Sequence, residues 1–408
     1  MTRSASPRSR SRGLAARVAV LAVLAVAAGA AAPASASAEV PRDFWGVIPI
    51  NDLSSSEIDQ MGSGNVGTLR LMFLWPAIEP KRDSYDWSYL DFVVANAARN
   101  GIEMLPFPYG TPDWVKVDCH GLDEGLCQRV PPLGSQEAKQ AWSDFLADAV
   151  SRYGPEGTFW SDTSDAYNPP YLPIRRWQIW NEPSSQTYYR PRPDPKGYAN
   201  LVKLSDEAIH SVDPEGEIVL AGIFPAPEGG KKFRIAPYLD AFYDVHGIGK
   251  HFDAAALHPY ARTLNGLRKQ IKNVRRQMRR GGSGSKPLWI SEVGWGSDPP
   301  VANRPLIKGL DGQRELLERS FHLLASKHAA WKIAGVIWYA WRDPGFGFEN
   351  CPFCSSAGLL KENGNPKPAW DSYVEITGGE PNPPSQPTPT PPPTSPPPPT
   401  SPIPPILP

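Results

Sequence analysis

Eight short apolar runs, each followed by a stretch of helical periodicity, constrain the fold of this chain more than any other feature. The runs are FWGVIPI (44–50), TLRLMFL (68–74), EMLPFP (103–108), RRWQIWN (175–181), EIVLAGI (217–223), FDAAALH (252–258), PLWISEV (287–293) and GVIWYAW (335–341). Helical patterns fill the gaps, from SSSEIDQMG after the first to KPAWDSYVEI after the eighth. In GSQEAKQAWSDFLADAVSRYG, Ala141, Phe145, Ala149 and Tyr153 recur every four residues while Glu137, Lys139 and Asp144 lie between. That is the stripe of a helix packed on a sheet. Strict alternation of strand and helix calls for a parallel sheet covered by helices, and eight such units predict an α/β fold, a (β/α)8 TIM barrel. A doubly wound open sheet is the structural alternative.

The flanks divide the chain into three parts. Residues 1–38 read as an export signal: Arg3, Arg8, Arg10, Arg12 and Arg17 lead into an apolar stretch from Val18 to Ala32 that ends in Ala36-Ser37-Ala38. The stretch is short and alanine-rich for a membrane span, which needs about 20 apolar residues. A retained signal anchor is the other reading. Residues 39–378 hold the barrel. In residues 379–408 the run from Pro381 onward has 16 prolines in 28 positions, a composition that cannot build a core and predicts a disordered, polyproline-like tail. Such a tail can associate with a cell wall, carry O-linked sugars, link to another module or be plain disorder without a role. The predicted protein is therefore secreted and has no membrane segment once the signal is cleaved.

Charge excludes one class of partner. The chain balances 42 cationic against 42 acidic residues, and five of the arginines belong to the signal, so the remainder is mildly acidic. A nucleic-acid binder would show a basic footprint. The local exception, RKQIKNVRRQMRR (268–280), has Ile271, Val274 and Met278 at helical spacing and reads as a helix with a solvated outer face. Four cysteines suit an exported protein with two disulfides, and their close spacings favour Cys119 with Cys127 and Cys351 with Cys354 among three possible pairings. CHGLDEGLC is not a second CxxC, which argues against a zinc ribbon.

In barrels of this type function sits at the C-terminal ends of the strands. There the fourth strand ends in Asn181-Glu182, the sixth in His258-Pro259-Tyr260, the seventh in Glu292 and the eighth in Trp341-Arg342-Asp343. Glu292 lies inside a run suited to burial, where a carboxylate costs several kcal/mol unless it is hydrogen-bonded or functional. Strand alternation puts Leu288, Ile290 and Glu292 on one face, taken as the barrel interior. Two carboxyls facing each other across a sugar are what glycoside hydrolysis needs: about 5 Å apart they give retention, and roughly 6.5–9.5 Å apart they give inversion.

These motifs resemble the clan A retaining glycoside hydrolases over about residues 41–377. TPDW (111–114), IWNEP (179–183), HPY (258–260) and WISEVGW (289–295), in that order, are most similar to family 39, with family 5 close behind. The resemblance implies Glu182 as general acid/base, Glu292 as nucleophile and Asn181 on the sugar 2-hydroxyl. It also implies His258 and Tyr260 lining the site, the tyrosine hydroxyl supporting Glu292, and Arg70 holding Glu292 ionised. A structural ion pair is the plain alternative for Arg70, and a satisfied structural histidine for His258. Trp75, Trp114, Trp295 and Trp341 fall at or beyond strand ends, where an aromatic face can stack on a pyranose; Trp341 is the foremost platform among them. Trp87, Trp142 and Trp370 lie in helical patterns and read as core. Tyr188 and Tyr189 follow the acid/base and fit either neighbouring subsites or loop packing. The expectation is a retaining enzyme that cleaves an oligo- or polysaccharide without metal or cofactor. A non-catalytic carbohydrate-binding protein on the same barrel is the alternative.

Overall fold

The structure, a computed structural model, describes residues 40–161, 168–225, 234–348 and 351–380. The expected signal and nearly all of the expected tail lie outside them. Eight parallel strands form one sheet in the order β3-β2-β1-β8-β7-β6-β5-β4: β1 (Trp45–Ile48), β2 (Thr68–Leu74), β3 (Glu103–Tyr109), β4 (Arg176–Ile179), β5 (Glu217–Ile223), β6 (Ala254–Leu257), β7 (Leu288–Val293) and β8 (Ile333–Tyr339). The two end strands meet where the Trp180 amide donates to the Pro108 carbonyl at 3.2 Å, which brings the sheet close to a closed barrel. The helices that follow are α1 (Ser55–Ser63), α2 (Ser88–Arg99), α3 (Gln136–Tyr153), α4 (Pro195–His210), α5 (Ile235–Tyr243), α6 (Leu264–Arg280), α7 (Gly309–Trp331) and α8 (Pro368–Thr377).

Local chemistry explains where these helices start. Ser54 and Glu57 form a reciprocal capping box on α1, and Ser135 and Thr263 cap α3 and α6 by accepting from backbone amides. Asp194 caps α4 just ahead of Pro195, whose fixed φ suits a first helical position. Helix and sheet then close over a continuous apolar layer. Trp45 stacks on Phe321 with centroids 4.4 Å apart, and Phe73 meets Trp177 edge-on at 6.1 Å. On α6, Ile271, Val274 and Met278 are buried as their spacing requires. The disulfides are Cys119–Cys127 and Cys351–Cys354.

The inside of the barrel is polar at both ends. At the N-terminal end Arg176 of β4 pairs with Asp43, Glu103 and Glu217 at 3.3, 2.6 and 3.4 Å. Above it, the guanidinium lies 5.8 Å from the centre of the Trp289 ring, and a β-carbon on Gly335 would strike that same ring. Trp289 and, two residues on, Ser291 therefore face the interior, since Ser291 Oγ accepts from Gln178. By the pleat, Leu288 and Ile290 point outward instead of inward as expected. Glu292 still reaches the interior because the β7–β8 register shifts between Ile290 and Val293, and such an irregularity re-aims a side chain at a barrel rim.

Candidate active site

Arg70 organises the C-terminal end of the barrel. It is fully buried on β2 and donates through Nε to Gln178 Oε1 at 2.6 Å, through Nη1 to Glu292 Oε1 at 2.7 Å, and through Nη2 to Asn181 Oδ1 at 2.8 Å. The Phe107 ring covers its guanidinium carbon at 4.0 Å. Burial lowers the pKa of Arg70, and the Glu292 carboxylate works in the opposite direction. One guanidinium thus ties β2 to β4 and β7 with three charge-assisted bonds. Gln178 completes the frame by donating to the Leu220 carbonyl and to Ser291 Oγ. It is the glutamine of RRWQIWN (175–181), a residue to which the sequence analysis gives no role; an amide in an otherwise apolar strand is the available signal.

Consecutive residues of a regular strand cannot both face the interior. Asn181 and Glu182 do so because β4 has ended at Ile179 and the chain turns, with positive φ at Trp180 (71°) and Glu182 (36°). For non-glycine residues such φ values cost about 1–3 kcal/mol each. The fully buried Trp180, whose indole N–H donates to the Tyr188 carbonyl at 2.9 Å, helps to offset that cost.

Glu182 Oε1 lies 2.7 Å from His258 Nδ1, and Glu292 Oε2 accepts from the Tyr260 hydroxyl at 2.7 Å. His258 is fully buried, and its pKa falls well below 6.5 through burial first and the Arg70 charge second. Burial therefore favours the neutral imidazole, whose Nδ1 faces both Glu182 Oε1 and, at 3.4 Å, Glu292 Oε2. Gly222 on β5 makes room for the ring, since a β-carbon there would come within 2.0 Å of Nε2. Burial also raises the pKa of Glu292, while Arg70 and the Tyr260 hydroxyl pull it back. Glu182, His258 and Glu292 each place one ligand-type atom within 4.8 Å of the other two. These atoms could hold an ion, but they already bond to one another, to Arg70 and to Tyr260.

Both glutamates open into a cavity of about 250 Å³. Tyr188, Phe224, Tyr260, Tyr339 and Phe353 supply its aromatic walls. Of the two loop tyrosines, Tyr188 lines this cavity and Tyr189 lines a separate one on the flank.

The tryptophans expected to stack on sugar are elsewhere. Trp341 is 1% exposed, donates to Glu57 Oε1 and meets Trp370 edge-on at 5.1 Å. Trp295 is fully buried, with its N–H on the Ala261 carbonyl at 2.8 Å. Trp75 is fully buried against Trp142 and Phe145 and donates to Glu79. Trp114 is half-buried, its N–H on the Glu79 carbonyl and the Arg82 guanidinium over its face. None of the four lines the cavity. β8 stops at Tyr339, two residues before the expected end of that run, so the aromatic that faces the cavity from this strand is Tyr339.

Comparison with known proteins agrees with this architecture. A family model described as beta-galactosidase (Glyco_hydro_42) matches residues 50–116, the segment that carries β2 and β3. A family 39 glycoside hydrolase from the gut symbiont Bacteroides cellulosilyticus WH2 superposes with a TM-score of 0.59 at 18% identity, over 83% of this chain and 65% of that one. A GH5_18 protein from Bifidobacterium longum subsp. longum, crystallised with Manβ1-4GlcNAc, gives 0.58 at 14% identity over 82% and 77%. Xylanase 10B from Thermotoga maritima gives 0.55 at 17% identity over 83% and 95%. The chain shares the (β/α)8 barrel fold of these glycoside hydrolases. No curated protein matches the chain significantly in sequence.

Proposed function

We propose that the chain is a secreted retaining glycoside hydrolase that cleaves β-glycosidic bonds in an oligo- or polysaccharide. The observation that carries this reading is the convergence of Glu182 and Glu292, from strands far apart in sequence, to oxygen atoms within 4.8 Å of each other at one cavity. Retaining enzymes hold their carboxyls about 5–5.5 Å apart, whereas inversion needs room for a water between them, roughly 6.5–9.5 Å.

In the first step Glu292 attacks the anomeric carbon while Glu182 gives its proton to the departing glycosidic oxygen, so the C–O bond breaks as the enzyme ester forms. In the second, the Glu182 carboxylate takes a proton from water, the water oxygen bonds to the anomeric carbon, and Glu292 leaves. Arg70 and Tyr260 favour the ionised Glu292 through one hydrogen bond to each oxygen. Asn181 is oriented by Arg70 through its Oδ1, which leaves its amide N–H groups to donate to the sugar 2-hydroxyl, an interaction that strengthens in the transition state. His258 stays neutral and fixes the Glu182 carboxyl. The two disulfides and the arginine-led apolar N-terminus support export. No helix among the described residues is long and apolar enough to cross a membrane. The names of the structural neighbours, a family 39 hydrolase and a xylanase among them, support the reaction class.

The test is the leaving-group dependence of Glu182→Gln. Loss of the general acid should slow hydrolysis of an unactivated disaccharide by about 10²–10⁴-fold, with a far smaller effect on an aryl glycoside whose leaving group needs no proton. NMR of the first product should show the substrate's own anomeric configuration. Equal slowing of both substrates, or an inverted product, would remove the assignment; oligosaccharide binding with no product from the unmodified protein would favour the non-catalytic alternative.

A further inference from the structure

The strand-end chemistry does not account for the four-residue ring Cys351-Pro352-Phe353-Cys354, which belongs to the loop between β8 and α8. Every residue of the ring lines the cavity that holds Glu182 and Glu292. Phe353 is 8% exposed, and its ring sits 5.0 Å from Tyr260 at 59° and 6.3 Å from Tyr339 at 58°, while those two tyrosines meet at 6.2 Å and 89°. The three rings thus form an aromatic corner beside the Tyr260 hydroxyl that bonds to Glu292.

Its anchorage distinguishes this turn from an ordinary surface loop. The disulfide closes the ring, the Cys354 amide donates back to the Cys351 carbonyl at 2.9 Å, and proline fixes φ between them. Immediately beyond, the Ser356 carbonyl accepts from the Ser297 amide at 2.8 Å, Ser297 Oγ at 3.0 Å, Lys367 Nζ at 3.1 Å and Gln313 Nε2 at 3.2 Å. A β-carbon on Gly296 would come within 3.0 Å of the Phe353 carbonyl oxygen and 2.8 Å of Ser356 Oγ, so the loop seats directly on the backbone after β7. Phe353 is therefore held in place before any ligand arrives, which reduces the ordering cost of binding.

We propose that Phe353 is a specificity-determining residue and that the Cys351–Cys354 ring exists to hold it. The corner takes a single sugar unit, presented by its apolar C–H edge, because aromatic faces supply contact area to such an edge and the cavity lies below the roughly 300–1,000 Å³ of sites for larger ligands. Phe353 also acts as a positioning residue by buttressing Tyr260 on Glu292. This rests on the glycosidase reading for the identity of the ligand.

The experiment compares the unmodified protein with Phe353→Ala, Phe353→Leu, the double variant Cys351→Ser/Cys354→Ser and the control Cys119→Ser/Cys127→Ser. Each is measured for kcat and KM on a panel of aryl β-glycosides, for calorimetric binding of the same compounds, and for thermal midpoint. Phe353→Ala should raise KM and weaken binding about tenfold, and should narrow the spread of kcat/KM across the panel; leucine should restore part of both. Opening the ring should shift KM in the same direction, and the control should leave it unchanged. A lowered thermal midpoint in Phe353→Ala and the ring variant, with KM, binding and substrate spread all preserved, would make the ring a structural staple only and overturn the proposal. If the unmodified protein binds these glycosides without turning them over, the glycosidase reading fails, and the binding difference alone still decides the role of Phe353. If it binds none of them, both fall.

Discussion

The barrel carries an arginine among acids at each end, and the two clusters behave differently. At the N-terminal end Arg176 faces three carboxylates within 3.4 Å and retains 25% of its side-chain exposure; the summed attraction of Glu103, Glu217 and Asp43 outweighs burial, and its pKa rises. At the C-terminal end Arg70 meets one carboxylate and two amide oxygens with no exposure at all, and burial wins, so its pKa falls. The first arrangement holds a charge comfortably at the edge of water. The second keeps a charge where charge is costly, and a fold does that at a site with chemical work to perform.

Substitutions can break or sharpen this contrast. The largest effect belongs to Glu292→Gln at the C-terminal end: under the proposed mechanism turnover of any glycoside should fall by about 10⁴-fold or more, the loss expected on removing a nucleophile, with the fold intact by circular dichroism. Next comes Arg70→Met, which leaves Glu292, Asn181 and Gln178 without their shared donor. Breaking a buried pair in this way should cost about 3–5 kcal/mol in a denaturant titration. The same change removes the positive charge that opposes the burial-raised pKa of Glu292, so that pKa rises further and the acid limb of kcat/KM moves to higher pH. An unmoved limb would show that Arg70 does not govern the ionisation of Glu292. Smaller should be Arg176→Met, which leaves Asp43, Glu103 and Glu217 without their shared cation: a loss of about 1–3 kcal/mol in the same titration, with the pH profile unchanged.

The strands were readable because a parallel barrel buries them on both sides, so each is a near-continuous apolar run between helical patterns. The core cluster at the site was readable for a related reason: Arg70, Glu182 and Glu292 are ionisable residues within or just after such runs. The aromatic walls were not. Trp341 and Tyr339 look alike as strand-end aromatics, and only the point at which β8 stops separates the one packed on Trp370 from the one facing Glu292. Strict alternation places Leu288 and Ile290 on the wrong face because the β7 register shift is a property of two strands together and leaves no mark on either alone. Phe353 lies 61 residues beyond Glu292 in a loop without periodicity, so nothing local announces its place beside Tyr260.

The seating of His258 over Gly222 has a consequence for altering what this protein recognises. Even a methyl group at position 222 would collide with the imidazole, so this position offers no freedom to reshape the support behind Glu182. Variants with new preferences will have to be sought among the connecting segments at the rim, with the glycine left untouched.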